Sequence, residues 1–362
     1  MPQRQEFEEA SVSDNFVADT AARIFADLAD PQDINKARDG GWKAALWQAL
    51  ADNGLTLAWV PEEQGGAGAQ LADGFAVLGV AGRYAVAVPL AETLLAGWLL
   101  SRAGLKSPEG AMSVAPARPG DTITLGADGT LTGRSRGVPF AKEAQHLAVL
   151  AGEQNGFWVA LVETKACRLS DGTSLASEAS NTVTFDRVMP LAVAPAKGID
   201  QTALMLMGCV VRSVQTAGAL EAILDMTVRY ANERVAFERP IAKFQAVQHN
   251  LARLAGEVAA AMTAAHSAAD AIARAETFDD AIFLEATAAK IRSVEAAQEG
   301  AAIAHQVHGA IGFTSEHILH RYTLRMLAWR DDFGNESHWA AALGNRIAAR
   351  GADDFWPLVA AR

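Results

Sequence analysis

The hydrophobic period of the chain changes twice, and this change constrains the fold more than any single residue does. Up to about Leu105 apolar residues recur at helical spacing, as in Ile24 and Leu28 and then Trp42, Leu46, Trp47 and Leu50, with Gly54 placed to stop the helix. The run Val60-Pro61-Glu62-Glu63-Gln64-Gly65-Gly66-Ala67-Gly68 interrupts that pattern, because proline and clustered glycines force a loop. From about Met112 to Pro195 the period becomes two. Ile123 and Leu125, Asp128-Gly129 and Leu131 signal one hairpin; Leu147 to Leu150, Asn155-Gly156 and Trp158 to Val162 signal another. Thr182 to Phe185 reads as a further strand. From Gln201 the helical period returns. Ala217, Leu220, Leu224, Val228 and Ala231 mark one face, and Phe244, Val247, Leu251, Leu254, Val258, Met262 and Ala265 mark the next, opened by Pro240. A third helical segment runs from about Asp280 to His308 and ends at Gly309-Ala310-Ile311-Gly312. The expected fold is mainly α, with a helical domain over residues 1–111, a small middle β domain over 112–197 and an antiparallel four-helix bundle over 198–362.

Charge and cysteine content remove several function classes. The chain carries 31 Lys+Arg against 42 Asp+Glu, a formal net charge of −11, and no basic stripe interrupts the acidic surface, so nucleic acid is not an expected partner. Its two cysteines, Cys167 and Cys209, cannot build a disulfide framework, and neither has zinc-ligand spacing; both read as small buried thiols, and no metal site is expected. Met1 to Asn15 has no apolar core run of the signal-peptide kind. The longest apolar stretch, Ala203 to Val211, falls short of the ~20 residues of a membrane span. A cytoplasmic protein without a membrane segment is the expectation.

Four segments carry more specific information. Trp47-Gln48-Ala49-Leu50-Ala51-Asp52-Asn53-Gly54 with the Val60 to Gly68 loop, Thr184-Phe185-Asp186-Arg187-Val188-Met189-Pro190, Arg234-Val235-Ala236-Phe237-Glu238-Arg239-Pro240-Ile241 with Phe244-Gln245-Ala246-Val247-Gln248, and Gln306-Val307-His308-Gly309-Ala310-Ile311-Gly312-Phe313 follow one another in this order. Together they resemble the signatures of the acyl-CoA dehydrogenase family across nearly the whole chain. The resemblance implies α,β-desaturation of an acyl-CoA thioester, in which a carboxylate takes the α proton and FAD accepts the β hydrogen as hydride. It also implies electron-transfer flavoprotein as a partner, and an assembly, homo-oligomeric or with a related chain, in which the C-terminal helices reach a flavin seated mainly on the neighbour. Carried over residue by residue, Arg234 would hold the pyrophosphate, since a guanidinium can donate two parallel hydrogen bonds to phosphate oxygens. Phe237 would pack on the adenosine half, and Gln248, Gln306, Gly309 and Gly312 would complete the cofactor-binding set. Alternatively, Arg234 is a solvated helix-end arginine, the glycines form only a turn and His308 is a satisfied core histidine. The glycines at 65, 66 and 68 follow no strand and are given no nucleotide role.

Two family features are missing. The β-domain segments that contact the flavin ring have no counterpart in Ser113 to Gly120 or Leu131 to Phe140. The base is missing as well. The two positions at which branches of the family carry it fall on Phe333, beside Gly334, and on Gly208. The nearby acids are Asp331, Asp332, which a one-residue miscount would make the base, and Glu336. Phe333 retains a backbone N–H that could polarise a thioester carbonyl. Leu90 to Leu100 and Met205 to Met207 would be the pocket walls. Three readings follow: a complete dehydrogenase with Asp332 or Glu336 as catalytic base, a non-catalytic subunit of a heteromeric dehydrogenase that supplies the cross-subunit half of the FAD site, and a flavin-free helical interaction protein on the same fold.

Overall fold

The computed structural model describes residues 16–37, 40–153 and 156–360. Five helices come first: α1 (Phe16–Leu28), α2 (Pro31–Ala37), α3 (Trp42–Asp52), α4 (Leu71–Arg83) and α5 (Leu90–Arg102). Gly54 has φ +71° just past the end of α3, a left-handed conformation that glycine adopts without strain. Gly66 has no room for a Cβ, which would overlap the Val60 carbonyl, so the loop between α3 and α4 folds back tightly on itself.

Eight strands then form one sheet: β1 (Met112–Ala115), β2 (Ile123–Leu125), β3 (Leu131–Pro139), β4 (His146–Glu153), β5 (Gly156–Glu163), β6 (Arg168–Ser170), β7 (Ser180–Val188) and β8 (Ala192–Pro195). Their order is β6-β7-β3-β2-β4-β5-β8, with β1 parallel to β4. The hairpin read from Asp128-Gly129 is present, with Leu125 opposite Leu131 and Gly129 at φ +77°. β4 and β5 pair antiparallel with Glu153 opposite Gly156, while Asn155 at that tip, like Met1 to Asn15, lies outside the described residues.

The remaining chain is helical: α6 (Gln201–Glu233), a two-residue-strand hairpin of β9 (Val235–Ala236) and β10 (Arg239–Pro240), α7 (Gln245–Arg274), α8 (Asp280–His308), α9 (Leu319–Trp329), α10 (Glu336–Arg350) and α11 (Ala352–Ala360). Pro240 lies in β10, ahead of α7 and outside it. α6 is the central element, packed by α4 on one side and by α7 and α8 on the other. It is longer than the apolar stretch visible in the sequence. An 18-residue window reaches mean hydropathy 1.4, enough by length and composition to cross a membrane, but the whole window is buried inside the protein, the position of a core helix. Its outer half departs from the expected face: Leu220 and Ala231 are buried, whereas Val228 is exposed and Ile223 and Met226 take the core positions.

Two further expectations are corrected here. Cys167 is half-buried, and only Cys209 is a core thiol. Leu90 to Leu100 and Met205 to Met207, expected as pocket walls, are all buried in the main hydrophobic core, which joins the first helices, the sheet and the first half of α6.

Candidate functional site

The sequence-derived site residues separate into an outer surface at one end of the bundle and an inner point beside the sheet. On the outer surface, α6 ends at Arg234, whose backbone turns to an extended conformation (φ −72°, ψ 116°) and whose carbonyl accepts from Ile241 N–H at 2.8 Å. The hairpin closed by that bond turns through Phe237 and Glu238, at φ +51° and +64°. Positive φ at both turn residues suits glycine or asparagine, so side chains there are held at a cost in strain. Phe237 is displayed at the tip, 89% exposed, edge-on to Phe244 at 6.2 Å, and Arg239 lies over the Phe244 ring at 4.2 Å. The Arg234 side chain is exposed and pairs with no carboxylate among the described residues. Gln248 is exposed in the first turn of α7 and donates to the Ala242 carbonyl at 3.0 Å.

Tyr230, one turn before Arg234, joins this hairpin to the end of α8. Its ring stacks on His308 at 4.4 Å and its hydroxyl donates to the His308 carbonyl at 3.2 Å. Gly309 follows at φ +63°, and Gln306 and Gly309 are exposed in a groove of about 610 Å³ with Ala310, Phe313 and Arg330. Gly312 differs. It is buried, and a Cβ there would press on His308 and Leu319 at 3.0 and 3.2 Å, which makes it a packing glycine of the turn. His308 is 3% exposed, with Nδ1 on the Ala304 carbonyl at 2.9 Å and Nε2 buried without a partner, so it is a core histidine but only half satisfied.

At the inner point, the structure brings Gly208 and Phe333 together. A Cβ built on Gly208 would overlap the Phe333 ring, so the phenyl group fills the space that a side chain at 208 would take. Phe333 is 1% exposed and sits at φ +56°. Its N–H donates to the Ala117 carbonyl at 3.0 Å, and its carbonyl accepts from Trp339 Nε1 at 3.0 Å. The N–H expected to be free for a thioester is therefore engaged within the fold.

Asp332 points one helical turn along α6, a shift of about 5.4 Å, to Arg212. Arg212 Nε donates to Asp332 Oδ2 at 2.9 Å, Nη2 to Glu92 Oε1 at 2.5 Å and Nη1 to Gln215 Oε1 at 2.6 Å. The side chains of Arg212, Glu92 and Asp332 are 3%, 2% and 12% exposed, so the triad is an internal staple between α5, α6 and the turn after α9. Burial pushes both carboxyls above the ordinary range, while the guanidinium between them opposes the shift. Lys290, 1% exposed, donates to the carbonyls of Trp329 at 2.8 Å and Asp332 at 2.9 Å, and burial lowers its pKa. Glu336 is the first residue of α10, half-buried, with Oε2 unpartnered. No group of side chains that could hold a metal ion occurs among the described residues.

Sequence reasoning missed Glu92, Arg212 and Lys290. For Glu92 and Arg212 the signal was present: each is a lone charge in an apolar or small-residue stretch, where a charge is retained only if paired or fully hydrogen-bonded, whereas Lys290 stands two residues before Arg292 in a charged helix and gave none.

Comparison with known proteins identifies the family. Residues 13–107 match the family model "Acyl-CoA dehydrogenase, N-terminal domain", and residues 199–341 match "Acyl-CoA dehydrogenase, C-terminal domain". The chain is 30% identical to acyl-CoA dehydrogenase IpdE2 of Mycobacterium tuberculosis, over 85% of this chain and 88% of the relative. Among solved structures, a chain of the ChsE4-ChsE5 complex from Mycobacterium tuberculosis superposes with a TM-score of 0.81 at 23% identity, covering 93% of this chain and 97% of that one. A chain of the Tcur3481-Tcur3483 steroid ACAD G363A variant gives a TM-score of 0.81 at 26% identity, covering 92% and 97%. The order of the elements, the paired segments at the end of α6 and α8 and these likenesses agree that the chain belongs to the acyl-CoA dehydrogenase family of FAD-dependent oxidoreductases.

Proposed function

We propose that this chain works as one subunit of a heteromeric acyl-CoA dehydrogenase, supplying the cross-subunit half of an FAD site while a related partner chain supplies the catalytic base. The observation that carries this reading is the Phe333 ring seated on Gly208. The two positions at which the family places its carboxylate meet at one point in this fold, and a phenyl ring fills it.

The outer surface fits a cofactor held across an interface. Arg234 offers an exposed, unpaired guanidinium, Phe237 an aromatic face clear of its own chain, and Gly309 a backbone that a ligand can approach closely. Gln306, beside Gly309, adds an exposed amide, and Gln248 keeps one N–H and its carbonyl oxygen for a ligand. FAD, when bound, supplies the hydride acceptor of an α,β-desaturation. The chain's own residues bind and orient: Arg234 neutralises phosphate charge, and the strained hairpin holds Phe237 outward before any ligand arrives. At the inner point they exclude instead, because Phe333 and the Glu92–Arg212–Asp332 staple close the space between α5, α6 and the turn after α9. The Tcur3481-Tcur3483 steroid ACAD and the ChsE4-ChsE5 complex among the structural neighbours favour a related partner chain; an acyl-CoA substrate and electron-transfer flavoprotein as the electron acceptor follow from the family reading.

Purification of the native complex through a tag on this chain tests the reading. The expected result is a second, related chain by mass analysis together with flavin absorbance. A homo-oligomer of this chain that retains FAD and dehydrogenates acyl-CoA unaided would overturn it.

A further inference from the structure

Four histidines gather where α8 meets α9, behind the surface that carries Arg234 and Gly309. His305 and His308 lie in the last turn of α8, His317 precedes α9, and His320 lies in its first turn. The His308 ring is flanked by Tyr230 at 4.4 Å and by His317 at 4.7 Å, and His305 stacks on Phe313 at 4.4 Å. Tyr230 connects this cluster to both parts of the outer surface. Its hydroxyl donates to the His308 carbonyl, next to Gly309, and its own carbonyl accepts from Arg234 N–H at 2.8 Å. A shift of the His308 ring therefore reaches the Arg234 hairpin and the Gly309 turn together.

The hydrogen bonds assign the protons. A carbonyl only accepts, so His308 Nδ1 carries its proton toward Ala304, and Nε2 is a bare acceptor, buried without a partner. Thr323 Oγ1 donates to the Leu319 carbonyl, so His305 Nε2 donates to Thr323, and its Nδ1 is likewise bare and buried. His317 Nδ1 is already engaged, accepting from Leu319 N–H at 3.2 Å. A second proton on His308 or His305 would create a buried N–H with no acceptor, and it enters only if the stack opens. Among the described residues, the charges that act on these rings are Arg229 on α6 and the other histidines, all of one sign. α7 brings Val247, Leu251 and Leu254 to the core beside Tyr230, and the one acid of the connecting segment, Glu316, is exposed.

We propose that the Tyr230–His308 stack is an acid-sensitive clamp: it positions the Arg234 hairpin against the Gly309 turn, and protonation of the histidine cluster opens it and speeds cofactor release, on the reading of this surface as half of an FAD site. His308 is held at about 4 in the closed form and returns to the ordinary histidine value when exposed. The closed form is therefore fully favoured near neutral pH, and opening becomes about ten- to thirtyfold easier at about pH 5 than at about pH 7.

Two measurements on the native, flavin-loaded assembly test the clamp from about pH 7 to about pH 5. Hydrogen exchange of residues 228–241 and 303–320, corrected for the intrinsic pH dependence of exchange, reads the opening, and the rise in flavin fluorescence reads the rate of FAD loss. Both should increase about ten- to thirtyfold. His308→Phe, which keeps a ring on Tyr230 without a proton site, should flatten both profiles. His317→Gln, which keeps an acceptor for Leu319 N–H, should make them shallower and carries the test if His308→Phe is unstable. Tyr230→Phe should speed FAD loss about two- to tenfold at about pH 7 and leave the slope in place. His266→Gln, at an exposed position of α7, should change neither profile. Exchange that does not rise in acid, or equal slopes in folded His308→Phe and the unmodified chain, would overturn the clamp; exchange that rises while FAD loss does not would instead remove this surface from the cofactor site.

Discussion

Gly208 and Phe333 are far apart in the chain, yet each is explicable only by the other. Glycine at 208 inside a long helix costs about 1 kcal/mol relative to alanine, and Phe333 keeps a left-handed backbone that a bulky residue rarely adopts. Both costs are offset by one close packing contact. Gly208→Ala should therefore destabilise the protein by about 1–3 kcal/mol through overpacking. Combined with Phe333→Gly, which suits the positive φ and empties the space, the two changes should be non-additive by about 0.5–3 kcal/mol in denaturant unfolding. Additive effects would mean that the contact does not exist. On the outer surface, Arg234→Ala should weaken FAD retention by roughly 1.5–3 kcal/mol, about ten- to a hundredfold, in the assembly that binds it. A flavin titration with an unchanged dissociation constant would remove Arg234 from the site.

Among the elements, the junction of α8 and α9 has a pH dependence of its own. His305, His308 and His317 are all held below the ordinary histidine range, each chiefly by burial. His320 adds to this at His305, His317 and His305 add to it at His308 against the opposing bond to the Ala304 carbonyl, and His320, His305 and Arg229 add to it at His317. His308 is pushed down to about 4. Because the folded values are depressed, the unfolded chain takes up protons first. The contribution to stability is complete above about pH 6.5 and is lost as the pH falls from there toward 4. Thermal unfolding followed from about pH 7 to about pH 5 should show a falling Tm, less steep in His308→Gln; a flat profile would contradict this. The same elements show what the sequence could reveal. α8 runs from Asp280 to His308 as its pattern predicts, and the Asp128-Gly129 hairpin forms, because period and turn chemistry are local properties. Glu92, Arg212 and Asp332 find one another across separations of 120 residues, so no spacing rule can pair them. The engagement of Phe333 N–H by Ala117 is invisible for the same reason.

At the scale of the whole molecule, the chain has an open face and a closed crevice. The end of the bundle exposes Arg234, Phe237, Gln306 and Gly309, while α5, α6 and the turn after α9 are stapled shut around Phe333. On the proposed function, such a subunit would give half a site to a neighbour and rely on a neighbour's carboxylate for the proton. Asp331, Asp332 and Glu336 are the acids nearest the sequence positions where this chain's own base could lie, and the central claim is tested on the two base candidates, Asp332 and Glu336. The measurement is the dehydrogenase rate of the native complex, with an artificial electron acceptor and a panel of acyl-CoAs, for Asp332→Asn and Glu336→Gln in this chain. The account predicts turnover per bound flavin close to that of the unmodified complex for both variants; a loss of about 10²–10⁴-fold at unchanged flavin content in either would place the base on this chain and contradict it.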